Sequence, residues 1–179
     1  MNLTTGMRLA GLAALALSLS GCGFFGGKDR EASASRMRFS TNSVECMERA
    51  MFFESLRSSR DGLVAVGTVV MNRVASDEFP DTVCDVVGQR NQFAPGIMSR
   101  PMNSDAMPRV QEAARAVLSG ERHPMVQNAR FFHTAGHRFP YDNMHYTVTT
   151  GGNSFYEKRK SHLVTQPVPP RGTEGITPA

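Results

Sequence analysis

The sequence predicts an α+β domain, mostly helical, with a small antiparallel β-sheet near its C-terminal end. Three observations carry this. From Asn42 to Leu118, apolar residues recur at intervals of three and four, the helical period. Beyond Ala129 the pattern changes to short β-branched and aromatic runs. Between two of those runs stands Gly151-Gly152-Asn153, a hairpin-turn sequence.

The chain has 179 residues, and its N-terminal part carries an address rather than a fold. Arg8 supplies a positive start and Leu9 to Leu19 an apolar run, the layout of a secretory signal and too short for a membrane span. Leu19-Ser20-Gly21-Cys22 follows and resembles the lipobox of bacterial lipoproteins. That resemblance implies cleavage before Cys22 and lipid on its sulfur, so residues 1–21 are expected to be a signal peptide. Two or three acyl chains anchor stably, because each buried methylene contributes roughly 0.8 kcal/mol. The expected location is outside the inner membrane, lipid-anchored and facing the periplasm or wall, in the outer membrane of a two-membrane envelope. Residues 22–40, rich in Gly, Ser, Ala and charge without an apolar period, are expected to be a tether. Residues 161–179, rich in Pro, Gly and Thr, are expected to be a disordered tail. The folded domain is then 41–160.

The first helix is expected to begin at Asn42 or Ser43, with Glu45 three places after Asn42 as in a capping box. Val44, Met47, Met51 and Glu54 fall on one stripe, while Glu45, Glu48, Arg49 and Phe52 point elsewhere. Glu54 thus ends an apolar face in Arg49-Ala-Met-Phe-Phe-Glu-Ser55. A carboxyl at such a rim has its charged form disfavoured, which suits a general acid. Its alternative is a solvated helix residue. Leu63 to Val74 is rich in valine but keeps helical spacing, and is expected to be a helix buried on most sides, with Gly67 admitting a close neighbour. Residues 58–62 form the turn before it. Pro80-Asp81 is expected to open a short helix through Val87. Ser104 or Asp105 is expected to cap another, with Pro108 in its first turn and Gly120 as its stop. Strands are expected at 129–134, 146–150 and 154–156.

Export leaves Cys46 and Cys84, and an oxidising compartment makes a disulfide between them the expectation, with two separate buried thiols as the alternative. Neither has a neighbouring ligand at metal spacing. The formal charge of +4 is spread along the chain, which argues against nucleic-acid binding but suits an anionic polymer such as a cell wall.

Several segments, in order, carry a family resemblance. They are Phe53-Glu54, the run from Gly62 to Val74, Phe79-Pro80 with Thr82-Val83-Cys84, Gln92-Phe93, and Gly151 to Tyr156. Together they resemble the SleB/CwlJ-type cell-wall hydrolases over nearly the whole domain. The resemblance implies a lysozyme-like fold, peptidoglycan as substrate and Glu54 as the catalytic acid. No metal is expected, because no strong ligand set is present; no cofactor and a monomer are expected too. Two positions depart from the family's usual pattern: Ser55 stands where Ala is common, and Ala94 where Ser is common. Glu54-Ser55 is, however, similar to the catalytic pair of soluble lytic transglycosylases. Ser55, Gln92, Phe93, His133 and Tyr156 are the substrate-binding candidates, with packing as the alternative for the last four. Asn72, polar within an apolar helix, is expected to make a structural hydrogen bond.

Glycoside cleavage usually takes two carboxyls. Asp61, Asp81, Asp85 and Asp105 are available, and nothing in their spacing selects one. A single-acid transglycosylase needs none of them. Two other readings stay open. One is a zinc amidase built on His133 and His137, although Gly136 and Pro140 argue against a helix there. The other is a wall-binding lipoprotein without catalysis.

Overall fold

The computed structural model describes residues 41–178. The expected signal peptide, the Cys22 lipidation site and the tether lie outside the described residues. Those described form four α-helices followed by a three-stranded antiparallel sheet. The helices are α1 (Thr41–Glu54), α2 (Arg60–Val74), α3 (Val83–Val87) and α4 (Met107–Leu118). The strands are β1 (Phe131–Thr134), β2 (Met144–Thr150) and β3 (Asn153–Lys158), in the order β1-β3-β2.

Helix α1 packs against α2, α3 and α4 at once. This explains why its single apolar stripe understates its burial. Phe52, expected to point away, is 6% exposed, and Glu48 is 8% exposed. The reading that Glu48 faces outward is therefore corrected: a helix with neighbours on three sides has no wide solvent face. Burial raises the Glu48 pKa, and the nearby Arg115 opposes the shift. Helix α2 is buried on most sides, as its valines indicate. It starts at Arg60 rather than Leu63, because the Ser59 hydroxyl accepts from the Gly62 N–H and caps the first turn. Helix α3 likewise starts later than Pro80-Asp81, since Thr82 caps it through the Asp85 N–H. For α4, neither Ser104 nor Asp105 holds the cap position. Ala106 does, without a side-chain bond, and Ser104 instead accepts from the Ala106 N–H.

Two glycine contacts set the packing. A Cβ on Gly67 would lie 2.4 Å from Met51 Cε and 3.2 Å from Val117, so its absence lets α1 and α4 close on α2. A Cβ on Gly62 would lie 2.5 Å from the Gly151 Cα, so the first turn of α2 touches the β2–β3 hairpin backbone to backbone. Gly151 and Gly152 make that turn at φ of 56° and 80°, where a side chain is strained.

The segment after β3 departs most from expectation. Residues 161–178 are not a free tail among the described residues. Tyr146 N–H donates to Gln166 C=O at 2.9 Å and Thr173 N–H to Thr149 C=O at 2.9 Å. The Asp61 carboxylate accepts from Ile176 N–H, Thr177 N–H and the Thr177 hydroxyl. Glu174 accepts from Gly151 N–H and the Ser59 hydroxyl. The composition of this segment predicts little apolar burial, and that part holds. What orders it is polar: β2 is an edge strand with open backbone groups, and buried Asp61 needs donors. Burial would raise the Asp61 pKa, but those three donors outweigh it and hold the carboxyl below its ordinary value.

Cys46 and Cys84 form a disulfide that ties α1 to α3 across 38 residues of chain. Thiol labelling of the unfolded, unreduced protein should find neither free. Reduction should cost roughly 3–4 kcal/mol on the chain-entropy account, measured by denaturant unfolding. Gly151→Ala should destabilise by about 1–3 kcal/mol, because the new methyl meets the Gly62 backbone and the residue stays at positive φ. Unfolding at the parent midpoint would show that the contact yields easily.

Candidate active site

Glu54 is the last residue of α1 and opens onto a cleft of about 470 Å³. The helices supply Phe53 and Glu54, and the loop before α4 supplies Asn91, Gln92, Phe93 and Ala94. The sheet and the loop after β1 supply Phe132, His133, Thr134, His137, Phe139 and Asn153. The cleft therefore forms where helices meet sheet, and among the described residues Glu54 is the only carboxylate that lines it.

The carboxyl is held from two sides. Its Oε1 accepts the Ala94 N–H at 2.6 Å. Its backbone carbonyl accepts the Asn153 side-chain amide at 2.5 Å, which binds the end of α1 to the start of β3. Burial pushes the Glu54 pKa up, while the Ala94 N–H and the Arg73 charge partly restrain it. Its place at a helix C-terminus adds to the upward push, since the helix dipole disfavours negative charge there. The result is a carboxyl that can hold a proton at higher pH than a free glutamate and has a fixed donor ready for its anion.

Arg73 lies beneath this site and is 3% exposed. Its Nε donates to Arg130 C=O at 2.8 Å, and its guanidinium packs over Phe79, Phe93 and Phe131 at 5.1, 5.2 and 5.8 Å. Its Nη1 has no hydrogen-bond partner among the described residues. Burial lowers its pKa to about 10, which leaves it charged at neutral pH.

Of the sequence-derived candidates, Gln92, Phe93 and His133 reach the cleft. Gln92 is exposed, whereas Phe93 is 9% exposed and packs on Phe132, so it serves core and cleft together. Ser55 does not reach it. Its hydroxyl donates to Met51 C=O at 2.8 Å, closing the end of α1. Tyr156 stands behind the cleft wall, stacked on Phe131 and close to His133. His133 Nδ1 donates to Thr134 C=O, and its Nε2 is hydrogen-bonded with the Tyr146 hydroxyl at 2.8 Å. Both ring nitrogens are thus engaged, and His133 offers the cleft a ring rather than a free ligand atom. Asn72 makes the structural bonds expected of it, donating to Gln127 and Ala129 carbonyls. Asp61 is tied to the C-terminal segment, and Asp81, Asp85 and Asp105 are exposed and do not line the cleft.

Side-chain reasoning missed the Ala94 N–H, Arg73 and Asn153. A backbone donor leaves no mark on residue type, which is also why Ala in place of Ser at position 94 keeps this bond. Arg73 and Asn153 stood inside quoted motifs as part of a helix and a turn. Only the fold brings them to Glu54.

The sequence model of the family described as Cell Wall Hydrolase matches residues 57–156, a segment that opens just after Glu54. Among solved structures, the chain is similar to the catalytic domain of the germination-specific lytic transglycosylase SleB from Bacillus anthracis. Identity there is 27%, coverage 66% of this chain and 97% of that one, and the TM-score 0.53. It is also similar to the catalytic domain of the SleB protein of Bacillus cereus, at 26% identity, with 67% and 93% covered and a TM-score of 0.54. No curated protein matches the sequence significantly.

Arg73→Met removes the charge that favours ionised Glu54, at a site where the guanidinium is already desolvated. The Glu54 pKa should then rise further, followed by carbon-13 NMR titration of its carboxyl. An unchanged or lower value would show that Arg73 does not act on Glu54.

Proposed function

Because the chain belongs to the cell wall hydrolase family, we propose that it cleaves peptidoglycan glycan at the bond between N-acetylmuramic acid and N-acetylglucosamine, with Glu54 as the acid. The observation that carries this reading is that Glu54 is, among the described residues, the only carboxylate lining the cleft. A two-carboxylate glycosidase needs a second within reach of the same sugar. A lytic transglycosylase does not, and the Bacillus anthracis neighbour is described as one.

The steps follow from one proton. Protonated Glu54 gives it to the bridging oxygen, and the bond from that oxygen to the muramic acid anomeric carbon breaks. The departing sugar leaves as an alcohol. The ionised Glu54 then takes the proton of the muramic acid 6-hydroxyl, whose oxygen bonds to the anomeric carbon and closes a 1,6-anhydro ring. Glu54 ends protonated, as it began. Internal attack supplies the nucleophile at high effective concentration. The Ala94 N–H steadies the carboxylate between the two transfers. A muramidase differs only in that water attacks instead.

The amidase reading has less support. His133 has both nitrogens engaged, and it and His137 each pack on the Phe139 ring. Lipid on Cys22 would hold the enzyme at a membrane facing its substrate, and the tether would let the domain reach it.

Glu54→Gln keeps shape and can still accept from Ala94, but it cannot donate the acid proton. Digestion of purified sacculi should fall at least about a hundred-fold, within the range for a placed general acid. The control is Asp81→Asn, which should digest at the parent rate. Anhydro-muropeptides by mass spectrometry identify a transglycosylase, reducing ends a muramidase and free stem peptides an amidase. Parent activity in Glu54→Gln would overturn the assignment, and a parent protein that binds sacculi without cutting them would point to the non-catalytic reading. The same substitution has an opposite effect on stability. A group whose folded pKa is raised stabilises the fold while protonated, and that contribution is lost as pH rises through the folded value. Above that value the ionised Glu54 is a cost that glutamine does not carry, so there Glu54→Gln should raise the Tm by about 1–4 °C, a small gain because solvent reaches the site.

A further inference from the structure

The loop between β1 and β2 carries exposed aromatic side chains that the fold does not use. Phe139 is 41% exposed and Tyr141 65% exposed. Their rings are nearly parallel, 12° apart, with centroids 5.9 Å from each other. Phe139 also lines the Glu54 cleft, where the His133 ring meets it edge-on at 5.0 Å and His137 lies at 5.4 Å. A row of rings therefore leads from the cleft out along the loop to Tyr141.

Large exposed aromatics at the mouth of a cleft are uncommon without a use, because each leaves apolar surface in water. An aromatic face is apolar and flat, and its tip in tyrosine is polar. The matching ligand has an apolar face as well as hydroxyls. A pyranose ring has both, with axial C–H groups on one face and hydroxyls around its edge. A glycan strand seated at Glu54 must continue beyond the scissile bond, and this row extends the cleft outward.

We propose that Phe139 and Tyr141 form a saccharide-stacking platform that holds a sugar of the glycan strand beyond the pair flanking the scissile bond. This rests on the glycan-cleaving reading above. The platform makes affinity depend on strand length. A strand long enough to reach Tyr141 gains a stacking contact, whereas a disaccharide occupying the Glu54 end does not.

The test uses the full chain in the Glu54→Gln background, so that strands are bound and not cut. The probe is a set of glycan strands stripped of stem peptides, graded by length, with affinity measured by calorimetry or fluorescence anisotropy. Adding Tyr141→Ala should weaken binding of long strands about three- to tenfold, the range for an aromatic contact. The length dependence should flatten with it. Tyr141→Phe, which keeps the ring, should bind within about twofold of the Glu54→Gln protein. Circular dichroism confirms that each variant folds. An alanine variant that binds strands of every length as tightly as the Glu54→Gln protein overturns the platform, as does a phenylalanine variant as weak as alanine. If the Glu54→Gln protein binds no stripped strand of any length, the glycan reading itself fails, which is a separate result.

Discussion

The contact on which the site depends is a backbone crossing. Gly62, in the first turn of α2, meets Gly151, in the β2–β3 turn, with no side chain between them. Leu56 N–H donates to Gly151 C=O at 3.0 Å beside it, and the Asn153 amide reaches back to Glu54 C=O. These bonds join the end of α1 and the start of α2 to one hairpin. The sheet is thereby set at a fixed height over the helices, and the cleft is the space left between them. A methyl group at either glycine would lift the hairpin and with it Asn153, one of the groups that frame Glu54.

The remaining order follows from burial around α1. Neighbours on three sides leave that helix few exposed positions, so even Glu48 is covered. After Glu45 the helix has no exposed residue, and at its end Glu54 stands half-buried with the helix dipole against its charge. The fold thus places a carboxyl where ionisation is disfavoured, and supplies one N–H and one distant guanidinium that limit the penalty. Such a placement costs stability wherever the carboxyl is ionised.

Arg73 shows how the same fold hides a charge. Aromatic faces of Phe79, Phe93 and Phe131 surround its guanidinium, and one carbonyl accepts from it. Guanidinium is weakly hydrated and stacks on rings, which lowers the cost of its burial; a lysine ammonium would not fit this slot equally well. Because Phe93 also lines the cleft, the arginine links the floor of the cleft to the sheet behind it.

The sequence by itself determined the helices, the small sheet, the Gly151-Gly152 turn, the cysteine pair and Glu54 as the candidate acid. These are local or pairwise signals: period, turn chemistry, cysteine number and a carboxyl ending an apolar stripe. It missed wherever the answer depended on a neighbour distant in the chain. The outward reading of Glu48 failed because periodicity marks one buried face and cannot count the helices around it. Ser55 stood beside the acid in sequence, but helix geometry turned its hydroxyl to Met51 C=O. The polar C-terminal segment looked free because composition measures apolar burial, whereas an edge strand and the buried Asp61 hold it by hydrogen bonds. The donor to Glu54 is a backbone N–H forty residues away. No residue type encodes such a donor, so only the tertiary structure could decide it.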